Sequence, residues 1–120
     1  MEFGQLHHLE YYVKNLSLSN EFWNWFMPFL GYVENKRWRG GISWRHSSGT
    51  YIVFAAVTQE IVNNRQGPGV NHIAFQGKDQ EHFEKLKAEL NRRQIKILKS
   101  KEKYICFEDT NEFAVEVYLS

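Results

Sequence analysis

Two histidines and one glutamate have the residue types and placement to do chemistry in this sequence. His8 opens the run His8-Leu9-Glu10-Tyr11-Tyr12-Val13-Lys14-Asn15, and His72 opens His72-Ile73-Ala74-Phe75-Gln76-Gly77-Lys78-Asp79. Each segment leads into an aromatic-containing helical pattern, near Glu21-Phe22 in one half and Glu81-His82-Phe83 in the other. Each half then closes on an apolar run, Tyr51-Ile52-Val53-Phe54 and Ala114-Val115-Glu116-Val117, and only the second contains a carboxylate. A duplicated module that sets a histidine twice in one local position points to a site shared by the two halves. Two imidazoles and one carboxylate are a sufficient donor set for a divalent metal ion.

The elements that must position these groups follow from periodicity. Leu6 to Val13 reads as a strand. Asn15 or Ser17 can cap a helix from Leu18, whose apolar stripe is Phe22, Trp23, Phe26, Phe29 and Leu30. Pro28 should shorten or kink its last turn, and Gly31 should end it. Tyr32-Val33 begins an extended segment, Gly40-Gly41 permits a tight turn, and Ile42 to Arg45 with Tyr51 to Val57 form a hairpin around Ser47-Ser48-Gly49. Gln59 to Gly69 reads as a linker. The order then repeats: a strand from Val70 to Phe75, an Asp79 cap, and a helix with its stripe at Phe83, Leu86 and Leu90. Strands follow at Ile95 to Leu98, Lys103 to Phe107 and Phe113 to Leu119, with a turn at Asp109-Thr110-Asn111. Each half is β-α-β-β-β.

Side chains alternate across a strand. His8, Glu10 and Tyr12 therefore share one face, as do His72, Ala74 and Gln76, and as do Ala114, Glu116 and Tyr118. Glu116 is a charge inside an apolar strand, and a lone buried carboxylate is costly, so it must reach water or meet a cation. Glu10 and Tyr12 can reach a cavity from His8's face, or serve packing and surface. Arg45 and His46 beside the hairpin turn suit either the surface or an anionic substrate. Trp38, Trp44 and Tyr104 are candidates to line a pocket, whereas Trp23 and Trp25 suit helix packing. Cys106 reads as a buried small residue, since no neighbouring base or cation activates it.

Composition bounds these readings. The chain has 120 residues, 42% hydrophobic and 16% aromatic, enough for one packed domain. Nine Phe, six Tyr and four Trp exceed what burial alone requires and leave room for an aromatic-lined cavity. A formal charge of +1 gives no electrostatic case for nucleic acid or membrane binding. The basic stretches Lys36-Arg37-Trp38-Arg39 and Arg92-Arg93 are short and read as solvated surface. One cysteine excludes an internal disulfide and fits a reducing compartment. With no secretory pattern and no apolar run of membrane-spanning length, a cytoplasmic location is expected.

Three strings together resemble the vicinal oxygen chelate superfamily, which includes glyoxalase I, fosfomycin-resistance thiol transferases, extradiol dioxygenases and bleomycin-resistance proteins. They are His8 through Leu16, Asn71-His72-Ile73-Ala74-Phe75, and Phe107 through Val117 with its Asp-rich turn. The resemblance implies an α+β fold of two β-α-β-β-β modules whose mixed sheet curves around a cavity (glyoxalase-like). The whole chain, 1–120, would be one such domain, with modules at about 1–58 and 70–120 joined by a linker at about 59–69. It also implies that His8, His72 and Glu116 bind one divalent ion (Zn, Ni, Mn or Fe), and that the protein forms a homodimer.

Two departures from the family pattern matter. Glyoxalase I carries a further glutamate where this chain reads Ile52-Val53-Phe54, with Val53 the counterpart of Glu116. Thr110 and Glu112 replace the usual Pro and Gly of the turn. Three protein ligands would leave coordination positions open, as catalysis requires. The function implied is a metal-dependent lyase or isomerase related to lactoylglutathione lyase, acting on a small oxygen-bearing molecule. Glu10 or a water would move a proton, Glu116 would act as ligand and join in proton transfer, and Tyr12, Trp44, Tyr104 and Arg45 would bind substrate. Thiol transfer and ring-cleaving oxygenation rank next. The alternative is a non-catalytic protein that sequesters a small molecule, as bleomycin-resistance proteins do.

Overall fold

The computed structural model describes residues 2–57 and 67–120. Most of the expected linker, including Asn63-Asn64, lies outside the described residues. The chain divides into two compact units, Met1–Ile61 and Val62–Ser120. The first contains β1 (His8–Val13), α1 (Leu16–Phe29), β2 (Val33–Trp38), β3 (Gly41–Arg45) and β4 (Tyr51–Ala56). The second contains β5 (His72–Gln76), α2 (Gln80–Arg92), β6 (Ile97–Lys101), β7 (Tyr104–Glu108) and β8 (Ala114–Tyr118). Each unit is β-α-β-β-β with one four-stranded sheet, ordered β1-β4-β3-β2 or β5-β8-β7-β6. The first and last strands of each unit pair in parallel and the other neighbours antiparallel, so both sheets are mixed. The fold is α+β and glyoxalase-like.

Helix α1 begins at Leu16, two residues earlier than Leu18, because Asn15 is the residue that caps it. Its side chain accepts the Leu18 N–H at 3.0 Å. The helix buries Phe22, Trp23, Phe26 and Met27. Trp23 stacks on Phe54 of β4 at 4.4 Å between ring centroids and meets Tyr11 of β1 edge-on. Pro28 lies in the last turn, and Gly31 reverses the chain with φ +93° while Tyr32 N–H bonds Met27 O at 2.9 Å. The side chain of Asp79 caps α2 through the His82 N–H at 2.8 Å. Glu81 in its first turn and Arg92 in its last complement the helix dipole, and Phe83, Leu86 and Leu90 are buried.

Strand β6 starts at Ile97 rather than Ile95. Gln94 takes a left-handed φ of 56°, and Ile95 N–H is spent on Leu90 O at 3.0 Å in ending the helix. The strand bulges between Ile97 and Lys99, as β2 does between Glu34 and Lys36. The Asp109 turn is held by its own carboxylate, which accepts Asn111 N–H at 2.7 Å and Phe113 N–H at 3.0 Å.

Residues paired across strands lie on one side of the sheet. In the first unit this gives a histidine face of His8, Glu10, Tyr12, Tyr51, Val53, Ser43 and Arg45. The opposite face carries Leu9, Tyr11, Ile52, Phe54, Ile42 and Trp44, and α1 packs there through Trp23. In the second unit the histidine face holds His72, Ala74, Glu116, Cys106, Tyr104 and Tyr118. Its opposite face carries Ile73, Phe75, Val115, Val117, Ile105 and Phe107, with Ser100 of β6 beside Ile105.

Candidate metal-binding site

Glu116 sits at the centre of the second unit's sheet, paired with Ala74 on one side and Cys106 on the other, and is only 9% exposed. A carboxylate there needs partners, and it has two. The Tyr104 hydroxyl donates to Glu116 Oε2 at 2.7 Å, and His72 Nε2 faces Glu116 Oε1 at 3.3 Å. Burial first, and then the hydrogen bond to Glu116, pushes the Tyr104 phenol well above its usual range, so it remains a donor. The Tyr104 and Tyr118 rings lie against each other at 4.7 Å. Cys106 is buried beside Glu116, as a small core residue should be.

His72 is exposed on the strand's first residue, and its other ring nitrogen, Nδ1, lies 2.8 Å from Asn71 Oδ1. A hydrogen on Nε2 would donate to Glu116 Oε1, whereas a lone pair there would face the carboxylate oxygen directly. A lone pair facing a carboxylate oxygen is stable only with a cation between them. Two donors at about 2.1 Å from one tetrahedral ion stand about 3.4 Å apart, close to the observed separation. The 3.3 Å separation thus suits two donors of one ion, as it also suits a protonated imidazole donating to the carboxylate.

His8 holds the matching position in the first unit. It pairs with Tyr51, the first residue of β4, as His72 pairs with Ala114, the first residue of β8. Its ring stacks on Tyr51 at 4.7 Å and 7°, and its Nδ1 meets His7 Nδ1 at 2.8 Å. Two residues along each closing strand, Val53 stands where Glu116 stands in the other unit. Gly41 correspondingly stands where Tyr104 does, with the Trp38 ring lying against it. The first unit thus has the histidine without the carboxylate and without the phenol that would hold one. Among the described residues, no three or more His, Cys, Asp or Glu side chains group as a metal-holding set.

The other residues expected at the site are placed as follows. Glu10 and Tyr12 are exposed on the His8 face. Arg45 is exposed on the same face, and its guanidinium donates to Asn35 Oδ1 at 3.3 Å. Trp44 is placed differently. It pairs with Ile52, lies on the opposite face of the sheet from His8, and is 5% exposed. Its strand neighbour Arg45 took the histidine face, and alternation sent Trp44 into the core. His46 closes its hairpin turn by accepting Ser48 N–H at 3.1 Å. The sequence analysis gave Asn71 no role of its own, and its side chain lies beside the His72 ring. It gave Tyr104 a substrate role without seeing that Tyr104 reaches Glu116.

No family model matches the chain. The uncharacterized protein YqjT of Bacillus subtilis is 31% identical over 96 residues, 78% of this chain and 74% of that protein. The crystal structure of a candidate glyoxalase from Bacillus halodurans superposes with a TM-score of 0.89 at 31% identity, covering 98% of this chain and 96% of the other. A variant of the fosfomycin resistance protein FosX from Listeria monocytogenes, crystallised with Mn(II) and 1S,2S-dihydroxypropylphosphonic acid, gives 0.69 at 17% identity, covering 99% and 94%. The chain belongs to the vicinal oxygen chelate superfamily, which joins glyoxalases, bleomycin-resistance proteins and dioxygenases.

Proposed function

We propose that the protein is a divalent-metal-dependent, glyoxalase-like enzyme of lyase or isomerase type, acting on a small oxygen-bearing substrate. The observation that carries this reading is the pairing of His72 Nε2 with Glu116 Oε1 at 3.3 Å on a buried strand. His8, in the equivalent register position, is the third ligand in this reading, and the Mn(II) found with FosX supports a divalent ion in such a fold. When bound, the ion would polarise substrate oxygens and stabilise an enolate or oxyanion. Glu10, exposed two residues from His8, takes or returns the proton as general base. Tyr12 and Arg45, exposed on the same face, orient the substrate, with the Arg45 guanidinium steadied by Asn35. Glu116 stays fixed by Tyr104 and His72 throughout. The reading takes residues 1–120 as one two-module domain acting as a homodimer in the cytoplasm. Among the described residues, no helix is long and apolar enough to cross a membrane.

Metal analysis of protein purified without an affinity tag tests this. About one divalent ion per chain is expected, lost in both Glu116→Gln and His72→Ala. Wild-type protein that takes up none of Zn, Ni, Mn or Fe would sink the enzyme reading. That outcome would favour the second one, a small-molecule-sequestering protein of the bleomycin-resistance kind. The apolar Val53 at the place equivalent to Glu116 is the observation on its side.

A further inference from the structure

We propose that the bulged edge of the first unit's sheet binds an anion through Arg45 and Lys36, so that the substrate carries a carboxylate or phosphate group. The inference deepens the functional reading above and rests on its placing the substrate over the His8 face.

The bulge in β2 between Glu34 and Lys36 sets up the arrangement. It leaves Asn35 as an extra residue at the sheet edge, free of the ladder, and its side chain reaches two groups of β3 at once. Asn35 Nδ2 donates to Ser43 Oγ at 3.3 Å, and Asn35 Oδ1 accepts from Arg45 Nη2 at 3.3 Å. Ser43 is only 3% exposed, so it anchors the amide from within the sheet. Lys36 pairs with Ser43, and Arg45 lies on the rung of Tyr51 and His8. Both cations therefore belong to the histidine face, and both are exposed there.

Their charges are not answered within the sheet. Glu34 pairs with Trp44 on the opposite face, and its two oxygens accept from Arg37 at 3.0 and 3.2 Å. Among the described residues, neither Arg45 nor Lys36 meets a carboxylate. An arginine held by a neutral amide is oriented without having its charge cancelled, as a carboxylate would cancel it. A guanidinium has five N–H donors, so those that Asn35 does not use can fork onto an incoming oxyanion. Glu10 shares the face but stands on β1, two strands from Arg45, a backbone separation of about 10 Å. One small molecule can span that distance, with its anion at Arg45 and its reacting end toward His8 and Glu10.

Titration of metal-free protein with inorganic phosphate and with acetate, at constant ionic strength, tests the inference through the Arg45 side-chain signal in proton–nitrogen NMR. A saturable shift is expected with at least one of them, and the tighter of the two tells a phosphate-bearing substrate from a carboxylate-bearing one. Arg45→Gln should weaken that binding by about tenfold or more, and Lys36→Gln by a smaller factor. Asn35→Asp separates an anion site from a merely structural network. It keeps the acceptor for Arg45 but sets a negative charge there, so anion binding should be lost while the melting temperature is held. No saturable shift with either anion, or binding by Arg45→Gln or Asn35→Asp as tight as wild type, overturns the inference. Because the titration needs no metal, its failure is distinct from that of the functional reading. Protein that binds an anion but no metal keeps the subsite and loses the metal-dependent reading, and protein that binds metal but neither anion does the reverse.

Discussion

At the scale of single residues, the local partners of Glu116 and Val53 matter more than their common place in the two sheets. Glu116 survives in an apolar strand because Tyr104 and His72 satisfy its two oxygens, and Val53 needs no such partners. A pH effect lies on α2. Hydrogen bonds from Arg92 and Arg93 hold the Glu89 carboxyl down to about 2. A depressed carboxylate stabilises the fold above its unfolded value of about 4.3 and loses that contribution as pH falls toward 2. The stability difference between wild type and Glu89→Gln should therefore fade across that interval in urea titrations. Because the cluster is on the surface, the difference should also shrink with added salt. Gly41 makes a steric prediction: a Cβ there would lie 2.6 Å from Phe54 O and 2.7 Å from the Trp38 ring. Gly41→Ala should destabilise by about 1–3 kcal/mol in chemical denaturation, since the backbone oxygen belongs to the sheet and cannot yield.

At the scale of elements, both helices start where a short polar side chain satisfies a free N–H. Asn15→Ala and Asp79→Ala should each cost about 1 kcal/mol by thermal or urea unfolding, with no shift in metal affinity, since neither residue touches a candidate ligand. A loss of metal binding in either variant would mean that the cap also orders the site. These elements were legible because their signals are local. Helical stripes at Phe22-Trp23-Phe26 and Phe83-Leu86-Leu90, caps, and alternation in the strands all depend on near neighbours in the chain. The start of β6 was misread because Gln94, a non-glycine residue, adopts a left-handed backbone to finish α2, and nothing in its residue type announces that.

At the scale of the molecule, ligand binding and stability are linked. If His8, His72 and Glu116 hold a metal in the folded state alone, a free concentration of about 100 times the Kd adds about 2.7 kcal/mol. A chelator should therefore lower the melting temperature of wild type and leave Glu116→Gln unchanged. The proposed homodimer is checked by sedimentation velocity, where a monomer at micromolar concentration would remove it. By itself the sequence determined two β-α-β-β-β halves, the histidine that opens each, and the lone carboxylate of the last strand. Those features rest on composition and short-range periodicity. Only the tertiary structure decided who meets whom. Strand register places Glu116 between Ala74 and Cys106, brings Tyr104 to one of its oxygens and His72 to the other, and turns Trp44 away from the histidine face. Register depends on turns and bulges and on pairings between strands distant in the chain, and a one-residue slip exchanges the two faces. The residues that could do chemistry were therefore visible in the sequence, while the atoms they present to one another were not.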